Sequence, residues 1–155
     1  MKKLALLFAG LSLLSISACK DDDPAQVYPL VGTWSPIKEV RTTIQASGAG
    51  VSDEIAYTDC QKASRWVFNE GSTGKRKDSD DDATTPGQCI ASADRTFNYI
   101  YNEDKSIQIK YLGTVEPENG KVTLLDATTL NLTIEDKTDP NEYYSVTYTM
   151  KRIVQ

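Results

Sequence analysis

Apolar and polar positions alternate along most of the chain beyond residue 30. Ser106 to Leu112 sets Ile107, Ile109 and Tyr111 on one face and Gln108 and Lys110 on the other. Thr129 to Glu135 opposes Leu130, Leu132 and Ile134 to Thr129, Asn131, Thr133 and Glu135. Glu142 to Ile153 puts Tyr144, Val146, Tyr148, Met150 and Arg152 on one side, and Tyr143, Ser145, Thr147, Thr149 and Lys151 on the other. Successive side chains of a strand point to opposite faces, so a period of two predicts strands with one wet side. Turn-forming stretches separate the runs at Asn69-Glu70-Gly71, Asn102 to Lys105, Pro117 to Gly120, Asp126-Ala127 and Asp136 to Asn141. The Asn119-Gly120 pair predicts a tight hairpin there. Together these signals predict eight strands, near 32–45, 64–69, 72–77, 94–101, 106–112, 121–125, 129–135 and 142–153.

Three stretches lie outside the pattern. Ala46 to Ser52 is small and glycine-rich and reads as a flexible loop. Asp53 to Ser64 has room for one short helical turn, placed to help close a barrel end. Lys75 to Gly87 reads as a long polar loop with opposite charges side by side. Eight antiparallel strands joined mostly by short turns point to an all-β, up-and-down barrel, because closure removes the sheet edges that invite aggregation. An eight-stranded barrel is just wide enough inside for side chains or one small ligand. A two-sheet sandwich accommodates the same alternation and is the alternative.

The N-terminus follows another logic. Lys2 and Lys3 precede an apolar run from Leu4 to Ile16, and small residues follow at Ser17 and Ala18. This is the layout of a secretory signal, and the run is short for a membrane span. Ile16-Ser17-Ala18-Cys19 resembles the bacterial lipobox. The resemblance implies cleavage before Cys19, a diacylglycerol thioether on its sulfur and an acylated amino group, with palmitate-class chains. Several chains anchor firmly, since each buried methylene contributes about 0.8 kcal/mol and one chain alone is marginal. Lys20-Asp21-Asp22-Asp23 is a charged block of the kind that stays solvated and unfolded. Placed directly behind the cysteine, it also resembles the surface-export signal of Bacteroidota-type lipoproteins. The expected organisation is a signal peptide over 1–18, a lipidated acidic tether over 19–29 and a folded domain over 30–155. The membrane is then a partner through the lipid on Cys19. The expected place is the outer membrane, displayed at the cell surface, with retention on the periplasmic side as the alternative.

Composition narrows the partners. Loss of residues 1–18, two lysines among them, leaves 15 basic and 22 acidic side chains, a net charge of −7. That acidity argues against nucleic acid, whose phosphates it repels. Cys60 and Cys89 remain, an even count that suggests a disulfide in an oxidising compartment. Closing that loop contributes roughly 3–4 kcal/mol on the chain-entropy account. Two buried thiols or half a metal site are the alternatives, although the absence of histidine and of a CxxC spacing argues against zinc. No cofactor is expected, and the oligomeric state is open.

Gly32-Thr33-Trp34 opens the first predicted strand and Arg152 lies in the last. This resembles the lipocalin superfamily, whose first strand carries Gly-x-Trp and whose final strand supplies an arginine. Leu30 to Trp34, and the later order of Cys60, an aromatic strand, Asn-Glu-Gly, Cys89 and a hairpin, are similar to bacterial lipocalin-like lipoprotein domains. The resemblance spans Leu30 to Val154 and implies that Trp34 plugs the closed barrel end with the Arg152 guanidinium packed over it, a structural pair. No counterpart of the C-terminal helix of standard lipocalins is expected in this sequence, in which Ile153 to Gln155 follow Arg152.

Other motifs fail on spacing. Counting an EF-hand from Asp78 puts Ala83 at the sixth place and Cys89 at the twelfth, where Gly and Glu are needed, so the Asp78 to Asp82 run reads as a solvated loop. Gly71 to Lys75 lacks the first glycine and the final hydroxyl of a phosphate loop. No histidine is present for a triad, and Glu116 and Glu118 flank Pro117 in what reads as an exposed turn. No enzymatic activity is expected. The tyrosines carry more information. Tyr99, Tyr101, Tyr111, Tyr144 and Tyr148, with Trp66 and Phe97, are candidates for one barrel-facing surface, either a plain core or the wall of a ligand pocket. The parity of 94–101 stays open, because Ile100 opposes all three of its aromatics. Two functions fit: a binding module holding a small apolar or amphipathic molecule, or an interaction protein with a filled barrel that touches a protein or glycan through its loops.

Overall fold

The computed structural model describes residues 27–139 and 141–154; Cys19 and Lys20 to Asp23 lie outside the described residues. Eleven strands are present among these: β1 (Gly32–Gln45), β2 (Gly50–Ala56), β3 (Arg65–Asn69), β4 (Thr73–Lys77), β5 (Ser79–Asp81), β6 (Cys89–Ala91), β7 (Arg95–Tyr101), β8 (Ser106–Tyr111), β9 (Glu118–Leu125), β10 (Thr129–Asp136) and β11 (Glu142–Ile153). A single 3₁₀ turn, η1 (Gln61–Ala63), falls in the interval expected to hold a short helical turn.

Eight of the strands close a ring. β3, β4, β7, β8, β9, β10 and β11 are antiparallel neighbours in that order. β1 completes the circuit by pairing with β11 from Thr33↔Ile153 to Gln45↔Glu142, and with β3 over Gly32–Trp34 on its other edge. These eight are the strands the alternation predicts, so the sandwich is excluded. Past Trp34 that second edge of β1 is taken up by β2, from Lys38↔Ala56 to Ile44↔Gly50. η1 sits beside the interval between the two partners, where the Ser35 hydroxyl donates to the Lys62 carbonyl.

Three expectations are corrected. The glycine-rich stretch is a loop only as far as Ala49; Gly50 onward is strand β2, held by backbone pairing to β1. Lys75 to Gly87 is not one loop, because β4 runs to Lys77 and β5 pairs with β6 as a separate hairpin. Asn119-Gly120 is inside β9 rather than in a turn. Glycine is needed there for approach: a Cβ on Gly120 would lie 2.1 Å from the Thr133 carbonyl oxygen of β10. The connections are instead pinned by aspartates. Asp104, Asp126, Asp136 and Asp139 each accept from a backbone N–H two residues on, fixing the chain reversal locally.

The ring has an apolar end and a charged end. Toward the first, Leu30, Trp34, Phe68, Tyr99, Ile107, Leu130 and Met150 are buried in one cluster, with Tyr101 and Leu125 packed on it. Trp34 is fully buried and its indole N–H donates to the Leu30 carbonyl, 2.9 Å. The Arg152 guanidinium lies 4.1 Å from the Trp34 ring centre. It donates to the carbonyls of Pro29, Val31 and Ala127 at 2.7–3.0 Å. One arginine therefore stacks on the plug and ties the lead-in to β1 to the β9–β10 turn. Gly32 follows from it: the residue has φ +144°, and a Cβ would lie 2.5 Å from Arg152 Nη1. Gly32→Ala is expected to lower stability by about 1–3 kcal/mol through backbone strain and displacement of the guanidinium, read as a lower urea midpoint.

Cys60 and Cys89 are bridged, with Cα atoms 5.2 Å apart. The bond ties the start of η1 to β6 and so fixes the β5–β6 hairpin against the barrel. Thr58 to Asp81 and Gln61 to Asp80 hydrogen bonds reinforce it. Reduction is expected to lower the melting temperature by several degrees, with amide exchange rising first in the hairpin, while the β1–β11 seam keeps its protection.

Candidate functional site

The other end of the barrel is where ionisable groups turn inward. In β4, alternation aims Gly74 and Arg76 into the ring, between the outward Thr73, Lys75 and Lys77. In β7 the same parity aims Arg95, Phe97, Tyr99 and Tyr101 inward and leaves Ile100 exposed, settling the open question of that strand. β1 contributes Glu39 because its register slips between Pro36 and Lys38. Pro36 has no N–H to offer the ladder, and the bulge shifts the inward parity from even to odd positions.

Arg76 is the centre of this end. Its side chain is 16% exposed, and its guanidinium carbon lies 4.2 Å from the Trp66 ring centre and 5.7 Å from that of Tyr148. Such a desolvated cation–aromatic stack contributes about 0.5–2 kcal/mol. Nε donates to Asp78 at 2.7 Å, and Arg95 reaches the other oxygen of the same carboxylate at 3.1 Å. Burial works against the charge on Arg76, but Tyr111, Asp78 and Tyr148 outweigh it and hold the group above its ordinary value. Arg95 in turn lies 4.6 Å from the ring centre of Tyr111.

A second cluster faces this one. Glu39, almost fully buried, accepts from Arg41 and from the Tyr57 hydroxyl. Burial, then the bond to Glu39, pushes the Tyr57 hydroxyl far above the normal phenol range. The Glu39 bond raises Arg41 in the same sense. Between the clusters is a chamber of about 210 Å³, lined by Glu39, Arg41, Tyr57, Trp66, Arg76 and Tyr148 among others, with the β5–β6 hairpin at its margin. This is smaller than the about 300–1,000 Å³ of a drug-sized pocket, and its walls are largely polar. A larger hollow of about 420 Å³ lies on the outer wall, where Thr73, Lys75, Asn98 and Lys110 project.

The candidate aromatics divide between the two ends. Trp66, Tyr148 and Tyr111 reach the charged end; Trp66 and Tyr148 have ring centres 5.4 Å apart. Tyr99 is core: it packs on Phe68 at 5.2 Å and its hydroxyl donates to the Asn69 carbonyl. Tyr101 packs against the same core. Tyr144 keeps the parity of Val146 and Tyr148, yet is 37% exposed at the rim. Trp34 and Arg152 do not line the chamber, although Trp34 is the register partner of Trp66 across β1 and β3. Sequence reasoning missed Glu39, Tyr57, Arg76, Asp78 and Arg95. The signal for Arg76 was its alternation with Gly74 inside the predicted strand 72–77, obscured because the loop expected from Lys75 overlapped that strand. Glu118, read as an exposed turn acid, is instead the first residue of β9, half-buried and paired in register with Ile109. Among the described residues, no group of three acidic or cysteine side chains is placed to hold a metal ion.

Burial raises the Glu118 carboxyl, while Arg76 and Arg95 partly oppose the shift. A carboxyl raised on folding weakens the fold as it ionises: the penalty is absent below about pH 4 and grows as pH rises through the raised value. Glu118→Gln is therefore expected to stabilise the protein at pH 7 and to leave it unchanged at pH 3.5, compared by thermal melts at the two pH values.

Residues 30–154 match the lipocalin-like domain family. Among solved structures, lobster apocrustacyanin A1 is similar at 12% identity and a TM-score of 0.49, over 81% of this chain and 61% of that one. A bovine odorant binding protein triple mutant is similar at 13% identity and a TM-score of 0.43, over 80% of this chain and 74% of that one. The chain thus spans about three-fifths of the apocrustacyanin's length. No curated protein matches it.

Proposed function

Because the chain belongs to the lipocalin-like domain family, a family of binding and transport proteins, we propose that it is a lipid-anchored binding protein that takes a small molecule at the charged end of its barrel. The observation that carries this reading is the chamber over Arg76, Trp66 and Tyr148. The remainder of the interior is filled by Trp34, Phe68, Phe97, Ile107, Ile109, Leu130, Leu132 and Met150, so a ligand has one end to enter. The walls call for a compact amphipathic molecule rather than a long apolar one: aromatic rings offer a flat surface, and the ionised groups require hydrogen-bonding partners. The lipobox ending at Cys19 and the acidic block behind it support outer-membrane anchoring with display at the cell surface. The filled lower barrel and the disulfide-fixed β5–β6 hairpin favour, as a second reading, an accessory protein that meets a protein or glycan through that hairpin.

Native mass spectrometry of the purified full chain is expected to retain a small-molecule adduct. Ile55→Trp, which fills the chamber from β2 without touching the core, should remove it; an adduct indifferent to that substitution would place binding elsewhere. Cys19→Ala is expected to move the protein from the detergent phase to the aqueous phase on partitioning, and unchanged partitioning would contradict the anchor.

A further inference from the structure

The chain enters the barrel at its sealed, apolar end. The Pro29 and Val31 carbonyls accept from Arg152, whose guanidinium also covers the Trp34 plug, so the lead-in to β1 is held across that end. Anything attached ahead of Val27 therefore pulls from there. Cys19, the residue that the lipobox marks for acylation, lies eight residues before Val27. Whatever their arrangement, those residues span at most about 26–29 Å. β1 is 14 residues long and runs from the sealed end to the charged end. Such a strand is about 45 Å long, and at a barrel tilt of about 35–45° it rises about 30–35 Å along the axis. The tether is thus shorter than the barrel is tall, and the charged end cannot be turned onto the bilayer that holds Cys19.

A second observation decides between an upright barrel and one lying on its side. Outward apolar side chains gather round the sealed end. Ile100 and Leu124 are the penultimate residues of β7 and β9, and Ile153 is the last of β11; all three strands finish at that end. These three are 36% to 57% exposed, and Val27 and Val154 are almost wholly exposed. β7 and β11 are four places apart in the ring of eight, so no one side wall carries the set. The middle of the wall is polar, with Lys75, Asn98, Gln108 and Lys110 facing out. Leu112 and Val115 are also exposed, but they belong to the β8–β9 loop at the charged end, which the tether keeps off the bilayer. An apolar girdle round one end is suited to a lipid interface.

We propose that the sealed end faces the membrane, with Val27, Ile100, Leu124, Ile153 and Val154 at the lipid interface, and that the chamber opens away from it. The proposal rests on the lipid anchor proposed above and adds the side from which the ligand comes. A molecule that reaches the chamber arrives through water, not out of the bilayer beneath. The turns at the sealed end carry Glu70, Glu103, Asp104 and Asp126. Anionic head groups repel these acids, so the girdle orients an anchored protein and does not replace the anchor.

The lipidated full chain is added to vesicles of phosphatidylethanolamine with a minority of phosphatidylglycerol, carrying nickel-chelating head groups as a short-range quencher. Cys60 and Cys89 are bridged, so Glu70→Cys at the sealed end and Ser47→Cys at the charged end each give one site for a fluorophore. Quenching of the Glu70 label is expected to exceed that of the Ser47 label at least threefold. Ile100→Ser with Leu124→Ser should bring the two labels closer to parity while the protein stays on the vesicles. Equal quenching lays the barrel on its side and overturns the proposal, as does stronger quenching at Ser47. An undiminished difference in the double variant overturns the lipid interface stated. Protein that remains in the aqueous phase contradicts the anchor itself, and the orientation with it. A phospholipid adduct in native mass spectrometry that Ile55→Trp abolishes overturns the aqueous route.

Discussion

Everything in this molecule depends on β1 having partners on both edges. One edge is occupied by β11 along almost its whole length, and the other by β3 and then β2. Without the β11 pairing, β1 and β11 would bear open edges, each a template for association. With it, the apolar faces of eight strands converge on a single interior and the two barrel ends become distinct places. Arg152 consolidates the closure where it is tightest, since its guanidinium covers Trp34 and gathers three carbonyls from two separate segments.

The second consequence is where charge is tolerated. A barrel interior disfavours ions, and an ion pair buried there is weak evidence for stability, because well-packed apolar residues often do as well. Arg76, Glu39 and Asp78 nonetheless turn inward beside Trp66 and Tyr148, with aromatic rings taking the place of solvent around Arg76. Such groups cluster at one end and are absent from the apolar cluster at the other. That asymmetry gives the barrel one sealed, apolar end and one polar end. The disulfide serves the same division, because it fixes the hairpin that borders the chamber rather than any strand of the ring.

Much of the frame was legible in the sequence. A period of two in Ser106 to Leu112 and Thr129 to Glu135 survives in the folded chain, because those strands contribute one buried face each. Gly32, Trp34 and Arg152 were read together from the resemblance to the lipocalin Gly-x-Trp and final-strand arginine, and the structure joins them as a glycine without room for Cβ, a plug and its cover. β2 was not legible, since its residues are nearly all exposed and only backbone pairing to β1 orders them. The chamber was harder still. Glu39 turns inward only because the bulge after Pro36 shifts parity, and Arg76 pairs with Arg95 across strands whose register depends on the whole ring. Glu118 was misread because Asn119-Gly120 resembles a turn, while the actual need for glycine is the approach of β10.

Closure is tested most directly by residue-resolved amide hydrogen exchange across the β1–β11 seam. The account predicts that paired amides of Thr33 to Gln45 and Glu142 to Ile153 exchange as slowly as those of β7 and β8 in the middle of the sheet. Exchange at the rate of free sheet edges in both β1 and β11, with β7 and β8 still protected, would mean an open sheet and contradict it.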